Sequence, residues 1–227
     1  MQRINSIKLE NVLPTVFAGS EHDEPVASSS VWCHKLEFRR PDSYMIEAES
    51  GTGKSSLCAY IYGSRRDYSG SIRFNDRDIR TFSMNDWCEL RRHHIAYLPQ
   101  EMRLFPELTV MENIMVKNRL TDTFSANEIV DLLTLLGIEN KVNQPAGRLS
   151  VGQQQRVAIL RAIAQPFDFI ILDEPVSHLD RRNNNTVSQL IADVARRNDA
   201  SIITTSVGNP LLIKDIEGFH SVQSIKL

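Results

Sequence analysis

Residues 44–56 read Tyr44-Met45-Ile46-Glu47-Ala48-Glu49-Ser50-Gly51-Thr52-Gly53-Lys54-Ser55-Ser56. A short apolar run ends in a glycine-containing loop, and a helix is expected from Lys54. That order is strand, loop, helix. Glycines let successive backbone N–H groups turn inward and cradle phosphate oxygens at a helix N-terminus. Lys54, on a surface loop, would reach the outer phosphates of a nucleotide, and the Ser55 hydroxyl would ligate Mg²⁺. A plain Gly-rich turn before a helix has the same spacing, so the flanking elements carry the reading. Such loops usually begin with Gly, and here that position is Ala48.

Outward from this loop, strands and helices alternate. SIKLENV places Ile7 and Leu9 on one face, and SIRFND places Ile72 and Phe74 on one face before turning at Asn75-Asp76. HIAYLP (94–99), FDFIIL (167–172) and SIITTS (201–206) are continuous apolar runs of the kind a parallel sheet buries on both faces. Thr109 and Glu112 form a capping box, as do Ser125 and Glu128. Ile129, Leu132, Leu133 and Leu136 fall at helical spacing, with Gly137 at the stop. A third helix is expected from Ser150 to about Ala164, and Val187, Leu190, Ile191 and Val194 mark another. The helices between about Gln100 and Gly147 interrupt the alternation and read as an insertion into an α/β core. Ala18 to Ser30, rich in Ser, Asp, Glu and Pro, reads as a long surface connection.

The chain has 227 residues, enough at ~150 residues per domain for one large domain or one with an insertion. At 41% hydrophobic and 24% charged it is neither disordered nor a coiled coil, and a formal charge of −2 gives no global attraction to nucleic acid. No nucleic-acid partner is expected. No apolar run approaches ~18 residues, and MQRINSIKLENV lacks the apolar segment of a secretory signal. Cys33, Cys58 and Cys88 lack metal-ligand spacing and read as reduced cytosolic thiols. His93-His94 reads as a solvated pair, and the Arg pairs at 39–40, 65–66, 91–92, 181–182 and 196–197 as solvated faces. Trp32 and Trp87 fit core or interface equally.

Two further motifs bear on chemistry. Phe169-Ile170-Ile171-Leu172-Asp173-Glu174 sets an acidic pair at the C-terminal end of a buried strand, where open α/β sheets bind ligands. Asp173 would hold Mg²⁺ through water, and Glu174 would orient or deprotonate an attacking water. Leu149-Ser150-Val151-Gly152-Gln153 starts a helix, with Ser150 as N-cap and Gln153 at capping-box spacing. Its free N–H groups suit a phosphate, though its helix carries it away from its own chain's phosphate loop.

Taken together, these three motifs resemble the ATP-binding cassette (ABC) family. AESGTGKSS looks like its Walker A, FIILDE its Walker B and LSVGQ its signature, with Val151 for a Gly. Gln100 resembles the Q-loop glutamine, Ser177-His178-Leu179-Asp180 the D-loop, and Phe17 the aromatic that stacks on adenine. LRRHHIAYLPQEMRLFPELTVMENI is similar to the stretch in lipoprotein-release, macrolide-efflux and cell-division ABC ATPases. The resemblance implies a P-loop NTPase core with a mostly parallel sheet (1–99 and 148–227), an antiparallel β subdomain at the N-terminus, and an inserted helical subdomain (100–147).

It also implies a MgATP-dependent homodimer or heterodimer, each ATP lying between one chain's loop and the other's signature. Ser50, Gly51, Thr52, Gly53, Lys54, Ser55, Ser56, Ser150, Gly152, Gln153, Asp180 and Phe17 would contact nucleotide. Ser55, Gln100 and Asp173 would serve Mg²⁺, and Glu174, Gln100 and Ser206 the reaction. A separate membrane permease would dock near Gln100 and the helical subdomain, holding the chain on the cytoplasmic face. One departure stands out: Ser206 replaces the family's switch histidine. A hydroxyl carries no positive charge, so slow basal hydrolysis with near-normal ATP affinity is expected.

Overall fold

A computed structural model describes residues 2–216 and 221–227. The chain order is β1 (Ser6–Pro14), β2 (Lys35–Arg39), β3 (Ser43–Glu47), α1 (Lys54–Ile61), β4 (Tyr68–Phe74), β5 (Arg77–Asp78) and α2 (Met84–His93). It continues with β6 (Ile95–Leu98), α3 (Val110–Asn118), α4 (Ala126–Leu135), α5 (Val151–Ile163), β7 (Phe169–Asp173), α6 (Arg181–Asn198), β8 (Ser201–Ser206) and β9 (Val222–Lys226).

The strands form two sheets. β6-β7-β8-β3-β9 is parallel throughout, and β2-β1-β4-β5 is antiparallel. The composition of the strands explains the division. Every residue of β7 and β8 is buried, as a strand covered on both faces requires. In β1, Ile7 and Leu9 are fully buried while Lys8 between them and Glu10 after them are only half-buried. One hydrophobic cluster joins Val110, Ile114, Ile129 and Leu133 of α3 and α4 to Val157 and Leu160 of α5 and to Ile170 and Leu172 of β7. The other packs β1, β4, α1 and α2 against the opposite side.

Parallel register puts several loops at one edge. Glu47 is level with Ser206, and Asp173 with Thr205. The loop after β3, the acidic pair after β7 and the end of β8 therefore lie side by side.

The fold departs from the sequence reading at several places. His94 is buried at 9% exposure, and its Nδ1 lies 2.7 Å from Asp168 Oδ2. Asp168 also bonds Arg3 Nε at 2.9 Å and the Ile4 N–H at 2.8 Å, so this cluster ties the start of the chain to β7, and His94 is not solvated. Arg40 is not on a solvated face either: its guanidinium is largely buried and bonds Asp199 Oδ2 at 2.8 Å. Arg91 stacks on Tyr62 and Trp87. Within the connection after β1, Val26 and Ser29 are buried. Helix α2 carries a Ser83–Asp86 capping box that the reading passed over, because its buried residues are just Trp87 and Leu90.

Gly70 shows why one β4 position needs glycine. The β1–β4 register shifts between Glu10 and Leu13, and Asn11 has φ 51° in that bulge. Gly70 faces it with φ 80°, and a Cβ there would sit 2.2 Å from the Asn11 carbonyl oxygen. Gly70→Ala is expected to cost about 1–3 kcal/mol from backbone strain alone. Thermal denaturation should show a fall of ~2–4 °C per kcal/mol. Gly19→Ala, at φ 86° with nothing within 4 Å, should cost less.

Candidate phosphate site at the strand ends

The loop after β3 is held open by its own backbone. Gly51 and Gly53 have φ of 86° and 102°, and Gly53 is the N-cap of α1. Trp32 lies fully buried beneath it and donates from Nε1 to the Thr52 carbonyl at 3.0 Å. A Cβ on Gly53 would lie 2.8 Å from the Trp32 ring and 3.5 Å from Phe17, so Gly53 is required twice over. The Thr52 hydroxyl donates to the Glu49 carbonyl at 3.0 Å, closing the loop on itself.

Lys54, expected at the surface, is only 5% exposed. Its Nζ donates to the Glu49 carbonyl at 2.7 Å and lies 3.8 Å from Glu174 Oε1. The Ser55 hydroxyl donates to Gln100 Oε1 at 3.4 Å. Arg65 Nη1 donates to Ser56 Oγ at 2.8 Å while its Nε bonds Asp67 at 3.0 Å. Together Ser50, Gly51, Gly53, Lys54, Ser55 and Ser56, with Gln100 and Glu174 opposite, line a cleft of about 250 Å³.

Asp173 is 1% exposed. Its Oδ1 accepts from the Thr205 hydroxyl at 2.7 Å, and that same hydroxyl accepts from the Glu174 N–H at 3.2 Å. Asp173 Oδ2 has no hydrogen-bond partner. Glu174 sits at φ 50°, an uncommon conformation for a residue with a side chain. Thr205 thus braces both acids, a role nothing in its apolar strand announced beyond the hydroxyls clustered at its end.

The unpartnered Asp173 oxygen, the Ser55 hydroxyl and the Gln100 amide oxygen are hard oxygen donors, the type Mg²⁺ takes when phosphates complete its shell. Among the described residues no cluster of three or more His, Cys, Asp or Glu forms a metal cage. Ser55 and Gln100 line the cleft and the open Asp173 oxygen sits at the end of β7 beside it, residue types that suit Mg²⁺ shared with a phosphate.

The remaining expected residues lie elsewhere. Ser150 and Gln153 make a reciprocal capping box at the start of α5, at 3.0 and 3.3 Å. Asp180 caps α6 by accepting from the Asn183 N–H at 2.8 Å, which holds its carboxyl below the usual range. Ser206 is 5% exposed at the end of β8 and does not line the cleft. Gly152 packs so closely that a Cβ would lie 3.0 Å from the His178 carbonyl oxygen. Gln155, buried on α5, donates to the Glu174 carbonyl at 3.2 Å and accepts from the His178 N–H at 3.0 Å. Asn209 donates to the Val176 carbonyl at 2.7 Å from the other side. Gln155 and Asn209 escaped sequence reading because each acts on backbone, which leaves no spacing signature.

Thr205→Val should leave a buried carboxylate oxygen without its donor. The expected cost is about 1.5–3 kcal/mol, as for a hydrogen bond to a charged group, read from the denaturant midpoint. Thr205→Ser, which keeps the hydroxyl, should lose less.

Residues 34–177 match the family model described as ABC transporter. An ABC transporter ATP-binding protein of Mycobacterium tuberculosis, Rv0073, is 29% identical over 93% of this chain, which spans 64% of that protein's length. The lipoprotein-releasing system ATP-binding protein LolD of Buchnera aphidicola is 31% identical over 75% of this chain and 76% of its own. In three dimensions the dimeric bacterial ABC transporter cassette MJ0796 superposes with a TM-score of 0.73, at 22% identity, over 97% of this chain and 94% of that one. With the family model spanning well over half its length, this chain belongs to the ABC transporter family as an ATP-binding cassette.

Proposed function

We propose that the chain hydrolyses MgATP at the strand-end cleft and uses the energy to drive a separate membrane permease. The observation that carries this reading is the convergence in one cleft of the glycine loop, Lys54, Ser55, Gln100 and Glu174. The loop N–H groups and Lys54 bind and orient the β and γ phosphates. Bound Mg²⁺, with Ser55, Gln100 and Asp173 as its donors, would neutralise developing charge on those phosphates. Glu174, turned into the cleft by its braced backbone, orients the attacking water and accepts its proton. Phe17 stacks on the base beside the loop.

Ser150, Gly152 and Gln153 lie outside their own chain's cleft, which supports a head-to-tail pair in which each signature completes the partner's site. Asp180 would meet the partner near the same surface. Residues 100–147 would act as the helical subdomain that receives the permease. A groove there is lined by Leu108, Met111, Glu112, Met115, Val116 and Arg119, with Phe105 and Leu120 exposed nearby at 48% and 49%. Arg161 holds the Met102 and Arg103 carbonyls at 2.6 and 2.9 Å, linking this surface to Gln100 through two residues of positive φ. Among the described residues no helix is long and apolar enough to cross a membrane. We place the chain at the cytoplasmic face through its permease.

A second reading is favoured by Ser206, whose short neutral hydroxyl ends β8 where it can carry no positive charge: a cassette that binds ATP but turns it over slowly.

Lys54→Ala should weaken MgATP binding about 10- to 100-fold by calorimetry, the range for lost hydrogen bonds to charge. Because Lys54 is buried beside Glu174, some change in melting temperature should accompany it. Unchanged affinity overturns the loop assignment. Glu174→Gln should accumulate an ATP-bound dimer on sizing chromatography, while a monomer at saturating MgATP contradicts the head-to-tail pairing.

A further inference from the structure

We propose that His178 supplies in trans the imidazole that Ser206 lacks, donating a hydrogen bond to the γ-phosphate of the ATP held by the partner's loop. The proposal rests on the head-to-tail reading above and goes beyond it. Three observations carry it.

First, among the described residues no histidine lines the cleft. Ser206 is level with Glu47, just before the loop, and one residue beyond Thr205, which faces Asp173. At that position the chain offers only a short, buried hydroxyl.

Second, His178 is exposed, and its own backbone is fixed. Its N–H donates to Gln155 Oε1 at 3.0 Å, and Gln155 Nε2 reaches Ser177 Oγ at 3.3 Å. His94, buried against Asp168, is not free for this role.

Third, His178 cannot be separated from the signature. The Gly152 backbone lies so near that a Cβ would be 3.0 Å from the His178 carbonyl oxygen. Gln155, one turn on in α5, holds the His178 N–H. The His178 backbone is thus fixed to the helix start that carries Ser150–Gln153, and its exposed imidazole is tethered beside that helix start. An imidazole donates through a ring nitrogen and can carry a proton, both absent from Ser206. The step makes no covalent bond to His178, which stabilises charge as the terminal phosphate leaves.

The test is steady-state phosphate release at saturating MgATP by purified full-length chains. His178→Ala should lower turnover about 10- to 100-fold, the range for a lost hydrogen bond to a charged group, with ATP affinity unchanged. His178→Ala/Ser206→His, which returns an imidazole from within the chain, should recover most of that loss. A merely structural role for His178 would not be rescued this way. Mixing His178→Ala chains with Lys54→Ala chains should also restore turnover, because the mixed dimer has one cleft with both groups intact. Wild-type turnover by His178→Ala overturns the proposal, as does failure of both rescue and mixing. Dimerisation of Glu174→Gln separates the two readings. If it dimerises with MgATP and His178→Ala is fully active, the trans imidazole alone is wrong. If it stays monomeric, the head-to-tail reading falls and the proposal with it.

Discussion

An ionised carboxylate removed from water costs several kcal/mol unless charge or hydrogen bonds replace its hydration. Asp173, at 1% exposure, accepts just one hydrogen bond, from Thr205, and its second oxygen is unpartnered. The end of β7 is thus a place where a buried oxygen acceptor is left open. The parallel sheet makes this placement feasible. Register delivers Thr205 opposite Asp173, and the same register brings the loop after β3 alongside. Lys54 Nζ lies 3.8 Å from Glu174 Oε1, so neither is buried as an isolated charge.

Much of this architecture was legible in the sequence because its signals are local. The continuous apolar runs of β7 and β8 require cover on both faces, and the capping boxes at Thr109, Ser125 and Ser150 start helices where expected. Helix α2 was missed because two buried residues in ten make a faint apolar stripe. His94 was misread because nothing in its neighbours announces Asp168, which lies 74 positions away. Lys54 was misplaced for a similar reason: the carbonyl of Glu49 and the side chain of Glu174 bury it, and only folding brings Glu174 there.

The same division runs through the candidate site. The glycine loop, the acidic pair and the signature are contiguous strings whose residue types already imply phosphate and cation chemistry. Thr205, Gln155, Trp32 and Asn209 act on these strings from a distance. Trp32 supports the loop through an indole N–H and a flat ring against Gly53, a contact that neither partner's sequence neighbourhood suggests. Binding groups are local in such a site, and their supports are tertiary.

One support has a further consequence. The Gln155 amide touches the Glu174 carbonyl with its nitrogen and the His178 N–H with its oxygen. A single side chain therefore ties the Glu174 turn and the Ser177–His178 turn to α5. A shift of the Glu174 turn is felt along α5, whose first turn carries Ser150 and Gln153. In mechanical terms the turn after β7 and the turn leading into α6 hang from α5 on one pin, and that pin is a single buried glutamine.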